Sequence, residues 1–268
     1  MSILKYSICP ISLVSCLAIL HLLSSCGVNA ASDQMHAASN PWTEGKALLT
    51  WKASLDNYSQ SKLSSWSSSA NPCSTWDGIR CNKAGRVSVI NITSSGIKGT
   101  LDHLNFSSLT HLTTIELSQN ALHGTIPSNI GNLSRLTYLS FWSNQLSGAI
   151  PIEISQLTNL WFLNLFDNSF NGSIPTSIGN LTGLTLLNLR SNKLSGWIPE
   201  EIGKLKSLTK LSLANNTLTG PIPLSFGNLS DPTLLYLYGN YLSGPIPKEI
   251  ENLTKLNELD LSGNQLSG

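Results

Sequence analysis

Leu136-Thr137-Tyr138-Leu139-Ser140-Phe141-Trp142-Ser143-Asn144 opens a unit that the chain repeats every 24 residues. Within it Leu139 and Phe141 alternate with polar or aromatic neighbours, the pattern of a short strand that buries one face. The closing asparagine recurs at Asn120, Asn144, Asn168, Asn192, Asn216, Asn240 and Asn264. A leucine keeps the same period at Leu133, Leu157, Leu181, Leu205, Leu229 and Leu253, as does a glycine from Gly124 to Gly268. An Ile-Pro pair follows each internal glycine, from Ile126-Pro127 to Ile246-Pro247. Several residue types held in phase this long are no accident, and a period of this size means a stacked repeat architecture. A degenerate copy starts at Val87, with Ser95 and Gly99 at the asparagine and glycine positions. Residues 87–268 therefore hold eight copies, the last cut short.

Each position has a physical task. Leu133, Leu136, Leu139, Phe141, Leu146, Ile150 and Ile154 point into a common interior. One unit cannot bury that face alone, whereas stacked units bury a continuous core. The chain turns sharply after each strand and leaves backbone donors and acceptors in a dry place. A buried asparagine amide can pair with both kinds. Glycine supplies permissive backbone just beyond, and proline keeps the returning limb out of the strand ladder. The expected fold is an α/β solenoid with a parallel sheet along one face. With strands roughly 4.8 Å apart, eight copies span about 40 Å.

Composition narrows the function. Only 12% of the 268 residues are charged and the formal net charge is +1, with no Lys/Arg cluster to hold nucleic acid. After residue 31 no apolar run approaches the roughly 20 residues a membrane span needs. Residues 1–30 carry Lys5, an apolar stretch from Ile8 to Leu23, then Val28-Asn29-Ala30. That order is expected of a secretory signal peptide cleaved after Ala30. Cys73 and Cys81 then remain as an even pair in an oxidising compartment, and a disulfide between them is expected. Ala47, Leu48, Trp51 and Leu55 share one face of a helix starting near Thr43, suited to cover the first coil. Residues 31–86 are read as this cap.

The repeat resembles the plant-specific leucine-rich repeat. The stretch Ala47-Leu48-Leu49-Thr50-Trp51-Lys52-Ala53, then Trp66, then Cys73 to Cys81 through Trp76 and Gly78, resembles the plant N-terminal leucine-rich-repeat cap. Together they cover residues 42–268 and are similar to ectodomains of plant leucine-rich-repeat receptor-like kinases. The resemblance implies a right-handed superhelix with a concave parallel β-sheet and a helical N-terminal cap. It also implies an extracellular peptide, hormone or protein ligand and a co-receptor with a leucine-rich-repeat ectodomain. In such receptors a membrane helix and a cytoplasmic Ser/Thr kinase follow. Two alternatives share the solenoid: a soluble wall protein resembling polygalacturonase-inhibiting proteins, and a kinase-less receptor-like protein. The copy cut short at Gly268 leads us to expect a remainder beyond it.

No nucleophile elbow, phosphate loop, His-Glu-x-x-His or kinase signature is present, so no catalytic residue and no cofactor is expected. His103 and His111 lack a third ligand for a metal. Ligand contacts are instead expected from strand residues that do not point inward. Those columns read Tyr138, Ser140, Trp142 and Ser143, then Phe162, Asn164, Phe166 and Asp167, then Leu186, Asn188, Arg190 and Ser191, then Lys210, Ser212 and Ala214. Tyr138, Trp142, Phe162 and Phe166 fall in matching phases of adjacent copies, with Asp167, Arg190 and Lys210 at the margin. Exposed aromatic rings beside a few charges suit a peptide, although strand aromatics also pack on one another for sheet stability alone. Tyr236 and Tyr238 form a smaller second patch. Some relatives clamp a peptide carboxylate with two arginines one residue apart, where this chain has Asn188 and Arg190. Nine glycosylation motifs occur, at Asn57, Asn91, Asn105, Asn132, Asn171, Asn180, Asn215, Asn228 and Asn252. Only Asn91 and Asn215 fall in concave columns, which leaves the aromatic copies bare.

Overall fold

The computed structural model describes residues 41–267. The segment read as a signal peptide lies outside the described residues. Among the described residues the chain starts with α1 (Pro41–Ser54), α2 (Asn57–Lys62) and α3 (Pro72–Thr75). Ala47, Leu48 and Trp51 on α1, and Leu55 just past its end, are all buried, as their spacing predicts. The Trp51 indole N–H donates to the Thr100 carbonyl at 2.8 Å, tying the helix to the first coil. Trp66 stacks on Trp76 with centroids 5.2 Å apart and meets Trp51 at 6.2 Å. Cys73 and Cys81 are disulfide-bonded beside this stack. Glu44 is fully buried, and its carboxylate accepts from Arg86 at 2.9 Å and from the Val87 N–H at 2.8 Å. A buried charge is stable only with such partners, so Glu44 locks the cap onto the start of the repeats.

Beyond the cap each coil adds one short strand to a nine-stranded ladder sheet. The first pair, Ile79–Cys81 with Val87–Asn91, is antiparallel, and every later pair is parallel. Tyr138 lies beside Phe162, Phe162 beside Leu186, and Leu186 beside Lys210. One column of the sequence repeat is therefore one row across the sheet. Leu133, Leu136, Leu139, Phe141 and Leu146 are wholly buried, with Ile150 and Ile154 nearly so. The ladder asparagines act between coils. Asn168 accepts from the Leu146 N–H at 3.0 Å and donates to the Phe141 carbonyl at 2.9 Å, both in the preceding coil. Asn192 does the same to Phe170 and Leu165.

The returning limb departs from expectation. Before it reaches proline it forms a second parallel sheet, of eight strands running from Lys98–Gly99 to Gln265–Ser267. Ser147 pairs with Ser169 and Ala149 with Asn171. The cause lies in the turn: the ladder asparagine holds the next coil at one fixed height, so the residues after it also meet in register. Pro151 (φ −66°) then ends the strand and starts the 3-10 turn Ile152–Gln156. These turns stack along the side away from the ladder sheet. A Cβ on Gly179 there would lie 2.6 Å from the Glu201 carbonyl oxygen of the next coil.

Candidate functional site

The outer face of the ladder sheet gathers the predicted side chains. Leu139 and Leu163 turn inward, so Tyr138 and Phe162 are left on the face, half-buried and stacked 4.2 Å apart at 7°. Trp142 and Phe166 stack more loosely at 6.3 Å and 22°. The four rings thus make two pairs, each worth about 0.5–1.5 kcal/mol beyond area burial.

Arg190 joins these rings to the second patch. Its guanidinium carbon is 5.5 Å from the Phe166 ring centre and 5.4 Å from that of Tyr238, two coils further on. The row reads Trp142, Phe166, Arg190, Ala214, Tyr238, so the side chain reaches Tyr238 across the small Ala214. A cation over an aromatic face is attracted by the ring quadrupole. Its Nε has no hydrogen-bond partner among the described residues. Tyr238 meets Tyr236 edge-on at 5.9 Å, and the Tyr236 hydroxyl donates to Glu258. The patch ranked second from sequence is therefore continuous with the first. A cavity of about 150 Å³ lies beneath, lined by Leu186, Asn188, Arg190, Lys210, Ser212 and Tyr236 among others.

One expectation needs correction. Ser140 and Ala214 do not line the surface, both being fully buried. Ser140 is held hydroxyl to hydroxyl with Ser118 at 2.7 Å, and Ala214 lies in the row that Arg190 crosses. Asp167, Arg190 and Lys210 form no ion pair with one another among the described residues. Asp167 is exposed in a row of left-handed residues. Ser143, Asp167, Ser191 and Asn215 have φ of 53°, 56°, 54° and 52°, and glycine takes the place at Gly239 and Gly263. Its position is set by the turn as much as by any ligand.

Trp161 and Glu116 escaped the reading of the sequence. Trp161, 45% exposed, sits edge-on to Tyr138 at 5.9 Å and to Phe162 at 5.5 Å. In five other coils the position is a threonine whose hydroxyl donates to the previous coil, as Thr137, Thr185 and Thr209 do. That break in the column was the available signal. Glu116 accepts the Tyr138 hydroxyl at 2.8 Å. Burial, and next this hydrogen bond, push the Tyr138 phenol up to about 12. Asn91, Thr114, Glu116, Thr137, Tyr138 and Trp161 line a cleft of about 230 Å³. All nine glycosylation-motif asparagines are exposed. Asn132, Asn180, Asn228 and Asn252 end 3-10 turns away from the ladder sheet, whereas Asn91 lies before the first aromatic coil and Asn215 between the coils of Arg190 and Tyr238.

Residues 42–82 match the leucine rich repeat N-terminal domain family, and residues 110–170, 183–205 and 207–266 match leucine rich repeat families, in sum more than half of the chain. A probable leucine-rich repeat receptor-like protein kinase of Arabidopsis thaliana is 38% identical over 121 residues, 43% of this chain and 10% of that protein. The solved structure of PEPR1–AtPEP1 superimposes with a TM-score of 0.79 and 35% identity, over 84% of this chain and 32% of that one. The Arabidopsis receptor kinase HAESA, in complex with the peptide hormone IDA and the co-receptor SERK1, gives 0.57 and 29%, over 84% and 46%. The chain thus spans about a tenth of the curated relative and about a third to a half of these solved ectodomains. This homology implies the extracellular or plasma-membrane face, and no helix among the described residues is long and apolar enough to cross a membrane. The solenoid, its capping helices and the matched sequences agree: the chain belongs to the leucine-rich-repeat family and is homologous to the ectodomains of plant leucine-rich-repeat receptor-like kinases.

Proposed function

We propose that the ladder face from Tyr138 to Tyr238 recognises an extended extracellular peptide. The chain is then the ligand-recognition part of a plant receptor-like Ser/Thr kinase whose membrane and kinase segments are not among these residues. The observation that carries the reading is two neighbouring rows on one sheet face, Tyr138 with Phe162, and Trp142, Phe166, Arg190 and Tyr238. Their ends lie four strand spacings apart, about 19 Å, which about six extended residues cover. Apolar peptide side chains would lie on the paired rings. Arg190 and Lys210, beside the smaller cavity, would take a polar or acidic group. HAESA carries a peptide hormone and a co-receptor in its complex, which supports the same pair of partners here. Delivery by the secretory route would put the sugars of Asn132, Asn180, Asn228 and Asn252 on the returning limb, away from this face, whereas Asn215 lies within its span.

The test is to pan a random peptide library against the secreted chain and measure the selected peptides on a variant. Trp142→Ala with Phe166→Ala is expected to keep the melting transition and abolish binding. Unchanged affinity in the folded double variant overturns the assignment.

A further inference from the structure

The cleft at the cap end of the aromatic row has an unusual wall. Asn91, one of its lining residues, is itself a glycosylation site, in the motif Asn91-Ile92-Thr93. It stands in the ladder sheet directly beside Glu116. The Asn91 Oδ1 accepts from the Thr93 hydroxyl at 2.9 Å, and its Nδ2 makes no hydrogen bond among the described residues. Thr114 and Glu116 line the cleft beside it, and Tyr138 and Trp161 stand opposite. The strand of Asn91 lies two spacings, about 10 Å, from that of Tyr138 and three, about 14 Å, from the coil that carries Trp161.

We propose that the sugar carried by Asn91 folds back into this cleft and lays its first N-acetylglucosamine against Trp161. Attachment forms a bond from Nδ2 to C1 of the sugar and breaks the C1–O bond to a lipid diphosphate. The Nδ2 proton leaves with that group. The pyranose ring presents a C–H face to the indole, which would otherwise stay 45% exposed. Its hydroxyls meet Thr114 and the Glu116 carboxylate, which keeps acceptor capacity beyond its bonds to Tyr138 and Ser118. The attached sugar then closes this end of the row, so a ligand enters from the Phe162 side. The proposal needs the secretory route but no ligand, and it stands or falls apart from peptide recognition.

The experiment uses the full chain secreted from cells that make only high-mannose sugars. Glycopeptide mass spectrometry reads occupancy of Asn91, and acrylamide quenching reads Trp161, isolated by difference from Trp161→Phe. We expect Asn91 to be occupied, and Trp161 to stay shielded after enzymatic trimming to one N-acetylglucosamine. The shielding is expected to be lost in both Asn91→Gln and Thr93→Ala, each of which removes the motif differently. An unoccupied Asn91, or equal quenching with and without the sugar, overturns the proposal.

Discussion

Asp167 shows how one residue can serve the turn and the surface at once. Its φ of 56° is strained for any residue with a Cβ, and two later coils relieve it with Gly239 and Gly263. Asp167→Gly is expected to stabilise the chain by about 0.5–1 kcal/mol, and Asp167→Val to destabilise it by about 1–2. Thermal melts should rank Gly above Asp above Val, and any other order would mean that the carboxylate matters more than the backbone. A second residue-scale expectation concerns pH. Burial, then Arg86 and Arg135, lower the pKa of His111 from 6.5, against an opposing pull from Glu44, 3.7 Å away. Thr110 is its other polar neighbour. The folded state favours neutral imidazole, so stability is expected to fall as pH drops below 6.5 and the unfolded chain gains the proton first. Urea midpoints at descending pH should fall less for His111→Gln than for the native chain. Ring positions were legible in the sequence because the repeat period assigns each residue a row. The reach of Arg190 was not, since a period gives the origin of a long side chain and says nothing of where it ends. The burial of Ser140 depends likewise on a neighbour in another coil.

Between elements, one of the tight contacts is where the 3-10 turns stack. Gly179→Ala would place a methyl 2.6 Å from the Glu201 carbonyl oxygen, and backbone cannot move aside cheaply. The expected cost is about 1–3 kcal/mol from overpacking. Gly183→Ala makes the control, because its nearest neighbour would be 3.9 Å away and its φ is not positive. That change is expected to be neutral or stabilising by up to about 1 kcal/mol, through the unfolded chain. Equal denaturation midpoints for the two variants would mean that the turns are loosely packed. The ladder strands and α1 were legible from alternation and helical spacing. The second sheet was hidden because Leu-x-Gly reads locally as a turn, and its pairing exists only once the coils are stacked.

For the whole molecule, a solenoid is stable because each coil is held by its neighbours, and its stability is close to a sum over adjacent pairs. Asn192 is a direct test of that additivity. It accepts from the Phe170 N–H at 3.0 Å and donates to the carbonyls of Leu165 at 3.0 Å and Leu189 at 3.1 Å. Asn192→Ala orphans these buried groups at about 1–3 kcal/mol each, while the apolar contacts of Leu187, Leu189 and Leu194 remain. The cap side has further anchors in the Trp51–Trp66–Trp76 stack and in Glu44 with Arg86 and Val87. Loss of the Asn192 bonds should therefore fall unequally. Amide hydrogen exchange is expected to quicken from Phe170 onward, while strands Thr114–Glu116 and Tyr138–Ser140 keep their protection. Uniform loss from cap to last coil would mean that the repeats unfold as one unit. In that case binding on the aromatic row would stiffen every coil together, and a ligand at Trp142 would raise protection as far away as Tyr236.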